Sequence, residues 1–164
     1  MVCFVKARDL VQDLPTVGPD DDALTAARLI ADRGLPGIAV VDEVGHPVAV
    51  LPAADVLRFI VPGYAQEDPS LARVLDEACA DVSAHDALHG MRVRQLLSPI
   101  RHRVELPAVD PDATVVECAA VMARLHSPLV AVVDDGSLVG IVTAPHMLER
   151  LLAADSASTN GNGA

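Results

Sequence analysis

The sequence predicts an α/β fold in which one β-α-β-β-α unit is written twice. Three observations carry this. Pro36-Gly37-Ile38-Ala39-Val40-Val41-Asp42 returns as Pro128-Leu129-Val130-Ala131-Val132-Val133-Asp134, at a constant offset of 92 residues, and an internal period of this kind marks a repeated supersecondary unit. In each copy a second apolar run then leads straight into a helical pattern: Val48-Ala49-Val50-Leu51-Pro52-Ala53-Ala54-Asp55 and Val139-Gly140-Ile141-Val142-Thr143-Ala144-Pro145-His146. Finally, the chain is 51% hydrophobic yet holds no Trp, one Tyr and two Phe. Such a core suits thin layers of small aliphatic residues.

Asp9-Leu10-Val11 is a short leader turn or helix. Thr16-Val17 reads as a strand, and Gly18 to Asp22 as the start of a helix whose acidic first turn suits the dipole. Leu24, Ala27, Ile30 and Ala31 form the apolar stripe of that helix, and Gly34 closes it. Pro36 to Asp42 is a buried strand, Glu43 to His46 a hairpin turn, Pro47 to Leu51 the returning strand, and Asp55 to Ile60 the second helix.

After Pro62-Gly63-Tyr64 comes an insert outside the repeat. Asp68 opens a helix with Leu71, Val74, Leu75, Ala78, Cys79 and Val82 on one face. Its apolar stripe is expected to pack on its own chain or to form a dimer or partner contact. From Met91 the pattern returns. Arg94-Gln95-Leu96-Leu97 matches the leader Arg8-Asp9-Leu10-Val11, and Ala108-Val109 matches Thr16-Val17. Val115, Cys118, Ala119, Met122 and Ala123 form the helix stripe, with Cys118 a small core residue. Asp135-Gly136 is a two-residue hairpin signal, and Met147 to Leu152 the last helix. The expected organisation is repeat 1 over 1–61, an inserted helical linker over 62–90, repeat 2 over 91–153 and a polar, Gly-rich, disordered tail over 154–164.

A net charge of −11 and the scarcity of aromatics exclude nucleic acid, which would be repelled by the charge and would find no stacking platforms. The three cysteines form no C-x-x-C and fit a reducing compartment. No apolar run approaches the roughly 20 residues of a membrane span, and none resembles a signal peptide. A cytoplasmic protein is expected.

The order of strand, helix, strand, Asp-containing turn, strand and then G-h-h-T-x-x-D resembles the cystathionine-β-synthase (CBS) domain, and two in tandem resemble a CBS pair. The best matches are Val130 to Gly136 and Leu138 to Thr143. The resemblance implies a three-stranded sheet in each half, halves packed through their sheets about a pseudo-twofold axis, and two clefts for adenosine ligands. It implies regulation of a partner enzyme or transporter, dimerisation into a disc, and no catalysis. No obligatory cofactor is expected; AMP, ADP, ATP or S-adenosylmethionine is the implied regulatory ligand. The alternative is a ligand-independent dimerisation or docking module.

Carried over from that resemblance, the hydroxyl of the T position meets phosphate, the D position meets ribose, and the first and second strands hold adenine. In this chain the nucleotide-binding candidates are Gly140, Val142, Thr143, His146, Val109, Pro128 and Val130 in the second copy, and Val17, Pro36, Ile38 and Asp55 in the first. Neither copy has the full set: His146 stands at the acidic position, Ala49 replaces the glycine, and Pro52 replaces the hydroxyl. A proline offers neither an N–H nor a hydroxyl. A protonated His146 would face phosphate rather than ribose and make binding pH-dependent.

Elsewhere, His85 and His89 share a helix spacing without an evident third metal ligand, and read as solvated. Arg101-His102-Arg103 is a local basic cluster that suits a solvated loop or a shared polyphosphate or partner surface. No nucleophile–base pair, metal constellation or Gly-rich phosphate loop points to an enzyme.

Overall fold

Both copies fold to the same three-stranded sheet with one parallel and one antiparallel pairing. The structure is a computed structural model that describes residues 5–74, 84–97 and 105–159. Helix α1 (Ala7–Leu10) precedes β1 (Thr16–Val17), α2 (Ala23–Arg33), β2 (Gly37–Val41), β3 (Pro47–Pro52) and α3 (Ala53–Ile60). Then follow α4 (Gly63–Glu67), a 3-10 turn (Pro69–Val74) and α5 (84–88). The second copy contributes α6 (Val93–Leu96), β4 (Ala108–Val109), α7 (Val115–Leu125), β5 (Leu129–Asp134), β6 (Ser137–Thr143) and α8 (Ala144–Thr159). The sheets are ordered β1-β2-β3 and β4-β5-β6, and each antiparallel pair carries a register shift at the same place, Val40/Val41 and Val132/Val133.

Local chemistry sets the element ends. Asp22 caps α2 by accepting from the Thr25 N–H at 2.9 Å. At α7 Thr114 and Glu117 form a reciprocal capping box, with bonds of 3.2 and 2.6 Å. Gly34 closes α2 in the left-handed conformation, and His126 takes the same conformation after α7 (φ 50°). Asp135 and Gly136 both have positive φ, the geometry of a tight two-residue hairpin.

Each half keeps its own sheet and helices but houses the leader of the other. Alternate strand residues Ile38, Val40 and Leu51 bury against α2 and α3 together with Val93 and Leu96 of α6. Val130, Val132 and Val142 bury against α7 and α8 together with Ala7 and Leu10 of α1. The exchange is symmetric to the hydrogen bond. Ala7 N–H donates to Ala113 O and Arg8 N–H to Pro111 O; Val93 N–H donates to Asp21 O and Arg94 N–H to Pro19 O. Ion pairs follow: Lys6 and Arg8 hold Asp112, and Arg94 holds Asp20. The sequence repeats are therefore not the packing units. The opposite sheet faces meet through Ala39, Val50, Leu129 and Ile141, flanked by Leu14 and Leu138.

Two expectations are corrected. The helix expected over Met147 to Leu152 begins at Ala144 and runs on to Thr159, into the stretch expected to be disordered. Ala153, Ala154 and Ala157 extend it cheaply, since propagation costs far less than nucleation. The helix expected to open at Asp68 begins instead as the 3-10 turn Pro69–Val74. There Asp68 accepts from both the backbone and hydroxyl of Ser70, a local turn that competes with an α-helical start. Positions 75–83, where the stripe continues, lie outside the described residues, as do Arg101-His102-Arg103 and the tail beyond Thr159.

Candidate functional site

The two strand-to-helix turns nominated from sequence are pseudo-equivalent. At the first, the Ala53 N–H donates to Pro36 O at 3.1 Å; at the second, the Ala144 N–H donates to Pro128 O at 2.9 Å. Pro36 and Pro128 thus lie beside their motif turns, as expected. Gly37 packs on Pro128, since a Cβ at Gly37 would stand 3.4 Å from the proline ring and 2.9 Å from Leu51 O. The two strand starts therefore meet where the halves join.

Each turn carries one polar side chain that the fold buries, Asp55 in the first turn of α3 and Thr143 at the end of β6, both 6% exposed. Burying such groups is costly without polar partners. The Thr143 hydroxyl donates to Gln12 Oε1 at 3.1 Å. This puts the hydroxyl on another segment rather than on the end of its own helix. Gln12 reaches it because Val11-Gln12 crosses β6 as an extra edge, with a 2.8 Å bond from Gln12 N–H to Ile141 O and a 3.3 Å return bond.

Gly140 is what lets that segment cross. A Cβ there would stand 2.7 Å from the Val11 Cβ, closer than any real contact. His146 lies on the first turn of α8, half-buried, with Nδ1 3.5 Å from Glu149 Oε2. Val142, Val130, Ile38 and Val17 are turned into the helix-side cores. Val109 packs at the edge of the second core.

The helix start at α8 is a depleted anion receiver. Of its leading N–H groups, that of Ala144 is taken by Pro128 O and Pro145 has none. At α3 the Ala53 N–H is taken in the same way, and Pro52 at its N-cap has none. Neither Gln12 nor Pro145 was singled out from sequence. Pro145 is visible there as a missing donor in the first turn; Gln12 carries no local signal, because its role depends on a pairing 131 positions away.

Among the described residues no group of three or more His, Cys, Asp and Glu could hold a metal ion. His85 and His89 stack on each other at 5.5 Å. Cys118 is buried in the second core, and burial pushes its thiol up from the usual range.

The CBS domain family matches residues 7–62 and 93–153, which are the two repeats that build these turns. The chain belongs to the CBS-domain family. It is 50% identical to a CBS domain-containing protein of unknown function from Kribbella flavida, covering 90% of this chain and 99% of that one with a TM-score of 0.74. Two more distant neighbours were solved with ligands. CBSX2 in complex with AMP is 20% identical, with 92% and 98% of the two chains covered and a TM-score of 0.63. The CBS domain pair of MJ0100, in complex with 5′-methylthioadenosine and S-adenosyl-L-methionine, is 18% identical, with 93% and 98% covered and a TM-score of 0.62. A tandem CBS architecture and its α/β fold, as read from the repeat, are thereby established. No helix among the described residues is long and apolar enough to cross a membrane.

Proposed function

We propose that this chain is a cytoplasmic regulatory module that binds an adenosine nucleotide (AMP, ADP or ATP) where its two CBS repeats meet, and so modulates a partner enzyme or transporter. The observation that carries the reading is the pair of buried polar side chains, Asp55 and Thr143, one at each pseudo-equivalent turn. A carboxylate accepts ribose hydroxyls and a hydroxyl serves as donor or acceptor. The AMP and S-adenosylmethionine complexes of distant CBS pairs support an adenosine ligand. On this reading the chain uses no obligatory cofactor and carries out no catalysis. Binding across the join would tighten the two halves, and that change is what a partner would read. Thermal unfolding with millimolar AMP, ADP, ATP or S-adenosylmethionine tests this, because a ligand of the native state raises the Tm. A flat Tm with all four would remove the reading.

A specific feature favours a second reading, a docking or homodimerisation module. The outer helical faces carry matching apolar grooves. One, of about 410 Å³, lies between α2, α3 and α5 and is lined by Leu24, Ile30, Val56 and Leu57. The other, of about 340 Å³, lies between α7 and α8 and is lined by Met122, Met147, Leu148 and Leu151. Leu57 and Leu148, equivalent in the repeat, are 57% and 58% exposed. Under this reading Leu57→Glu with Leu148→Glu converts a dimer to a folded monomer in light scattering; a wild-type monomer at 100 µM, roughly the scale of a weak homodimer, removes it.

A further inference from the structure

The Thr143 hydroxyl has one proton to give, and the structure gives it to Gln12. A threonine hydroxyl is one donor and two acceptor sites. With the proton directed to Gln12 Oε1 at 3.1 Å, what remains for a ligand is the acceptor side. The neighbouring donors are depleted in the same sense, since the Ala144 N–H is on Pro128 O and Pro145 has no N–H. Nearby Glu149 adds negative charge 3.5 Å from the His146 ring. A phosphate needs donors, whereas a ribose hydroxyl can donate to the acceptor side of Thr143.

We infer that Gln12 is the specificity-determining residue of the Thr143 cleft. It turns a phosphate-receiving hydroxyl into an acceptor for a ribose hydroxyl, so that the cleft selects the adenosine moiety and gains little from a phosphate. This rests on the proposed binding of an adenosine ligand and adds which part of that ligand this half recognises. Gln12 is held for the task by its backbone: both of its main-chain groups are bonded to Ile141, so changing the side chain leaves the crossing segment in place. Its carboxamide stands on the same edge as Thr143, two residues along β6 from that pairing.

The test is calorimetric titration of the full chain with adenosine and with AMP. Wild type is expected to bind the two within about threefold. Gln12→Ala frees the hydroxyl proton, and AMP gains about tenfold relative to adenosine, the scale of one hydrogen bond to a charged group. Gln12→Glu keeps an acceptor and adds charge, so AMP falls below adenosine. In Gln12→Ala with Thr143→Val the gain disappears. Binding of AMP tenfold tighter than adenosine by wild type overturns the inference. So does a ratio that stays level in Gln12→Ala, a ratio that falls there, which would make Gln12 a phosphate ligand through its amide nitrogen, or a gain that survives Thr143→Val. In each of those cases the nucleotide reading stands. If neither compound binds any variant, the Gln12 role falls, and the nucleotide reading falls with it only where the thermal panel of AMP, ADP, ATP and S-adenosylmethionine is also flat.

Discussion

Val11 crosses β6 directly over Gly140, with no room between them for a methyl group: a Cβ on Gly140 would stand 2.7 Å from the Val11 Cβ. The obstacle is a β-carbon held by its backbone, since the next residue is paired with Ile141. Gly140→Ala should therefore destabilise by about 1–3 kcal/mol, the usual scale of overpacking. Urea unfolding measures it. Adding Val11→Gly should recover part of the loss, giving a coupling energy in the double-mutant cycle. Additive losses would mean that the crossing segment moves aside freely.

The same contact separates what could be read from the sequence from what could not. The repeat was legible because strands of period 2 and helices of period 3.6 recur at a fixed offset, and because Asp135-Gly136 has one sensible hairpin geometry. The G-h-h-T turn was legible too, as a strand feeding a helix. Leader exchange was not, because Asp9-Leu10-Val11 repeats as Gln95-Leu96-Leu97 whichever half it packs on. Nothing local distinguishes packing on β6 from packing on β3. Gln12 was hidden for the same reason, and with it the state of the Thr143 proton. The glycine of the motif thus has a structural duty in this chain that a binding role would not reveal. It admits the leader of the other repeat.

The ion pairs that fasten the leader give stability a defined pH dependence. Asp112 lies below the usual carboxylate range, chiefly because Lys6 hydrogen-bonds it, with Arg8 also contributing and burial opposing. Glu117 is lowered chiefly by the Thr114 backbone N–H. A folded-state pKa below the unfolded one contributes stability that is fully present above the unfolded value and is lost as pH falls through the folded value. Wild type should therefore lose urea resistance more steeply than Asp112→Asn as pH falls. Their difference should begin to shrink at about 3.9, the ordinary aspartate value, and vanish only once the pH falls below the lowered folded value of Asp112. Salt should shrink their difference at neutral pH, as these groups are exposed. Parallel curves for the two proteins would show that the latch contributes nothing.

His126 occupies the left-handed position that Gly34 occupies in the first copy. A side chain in that region costs about 1 kcal/mol, partly offset by the extra freedom glycine gives the unfolded chain. His126→Gly should stabilise by about 0.5–1 kcal/mol and raise the Tm by about 1–3 °C. Gly34→His should do the reverse. The His126 N–H already bonds Ala123 O and Met122 O, so the exchange alters side chain and backbone freedom only. A lower Tm for His126→Gly would show that the imidazole contributes contacts on the α7–α8 face that outweigh the strain.

Leader exchange makes its own prediction about where damage appears. Leu10 is fully buried, yet it packs with Cys118, Met122 and Val142 of the second repeat. Leu96 is likewise buried among Ile30, Val40 and Leu51 of the first. Truncating either to Ala should cost about 2–5 kcal/mol, the range for deleting a leucine from a close-packed core. Site-resolved hydrogen exchange separates the two variants, because local opening concentrates where contacts are lost. In Leu10→Ala the amides of Ala131, Val132 and Val142 should exchange faster, with those of Ala39, Val40 and Val50 less affected. In Leu96→Ala the order should invert. Faster exchange confined to the mutated residue's own repeat would mean that each leader packs at home. An equal rise in both halves would mean that the two sheets open only together, with the inter-sheet contacts of Ala39, Val50, Leu129 and Ile141 as the stronger bond between the repeats.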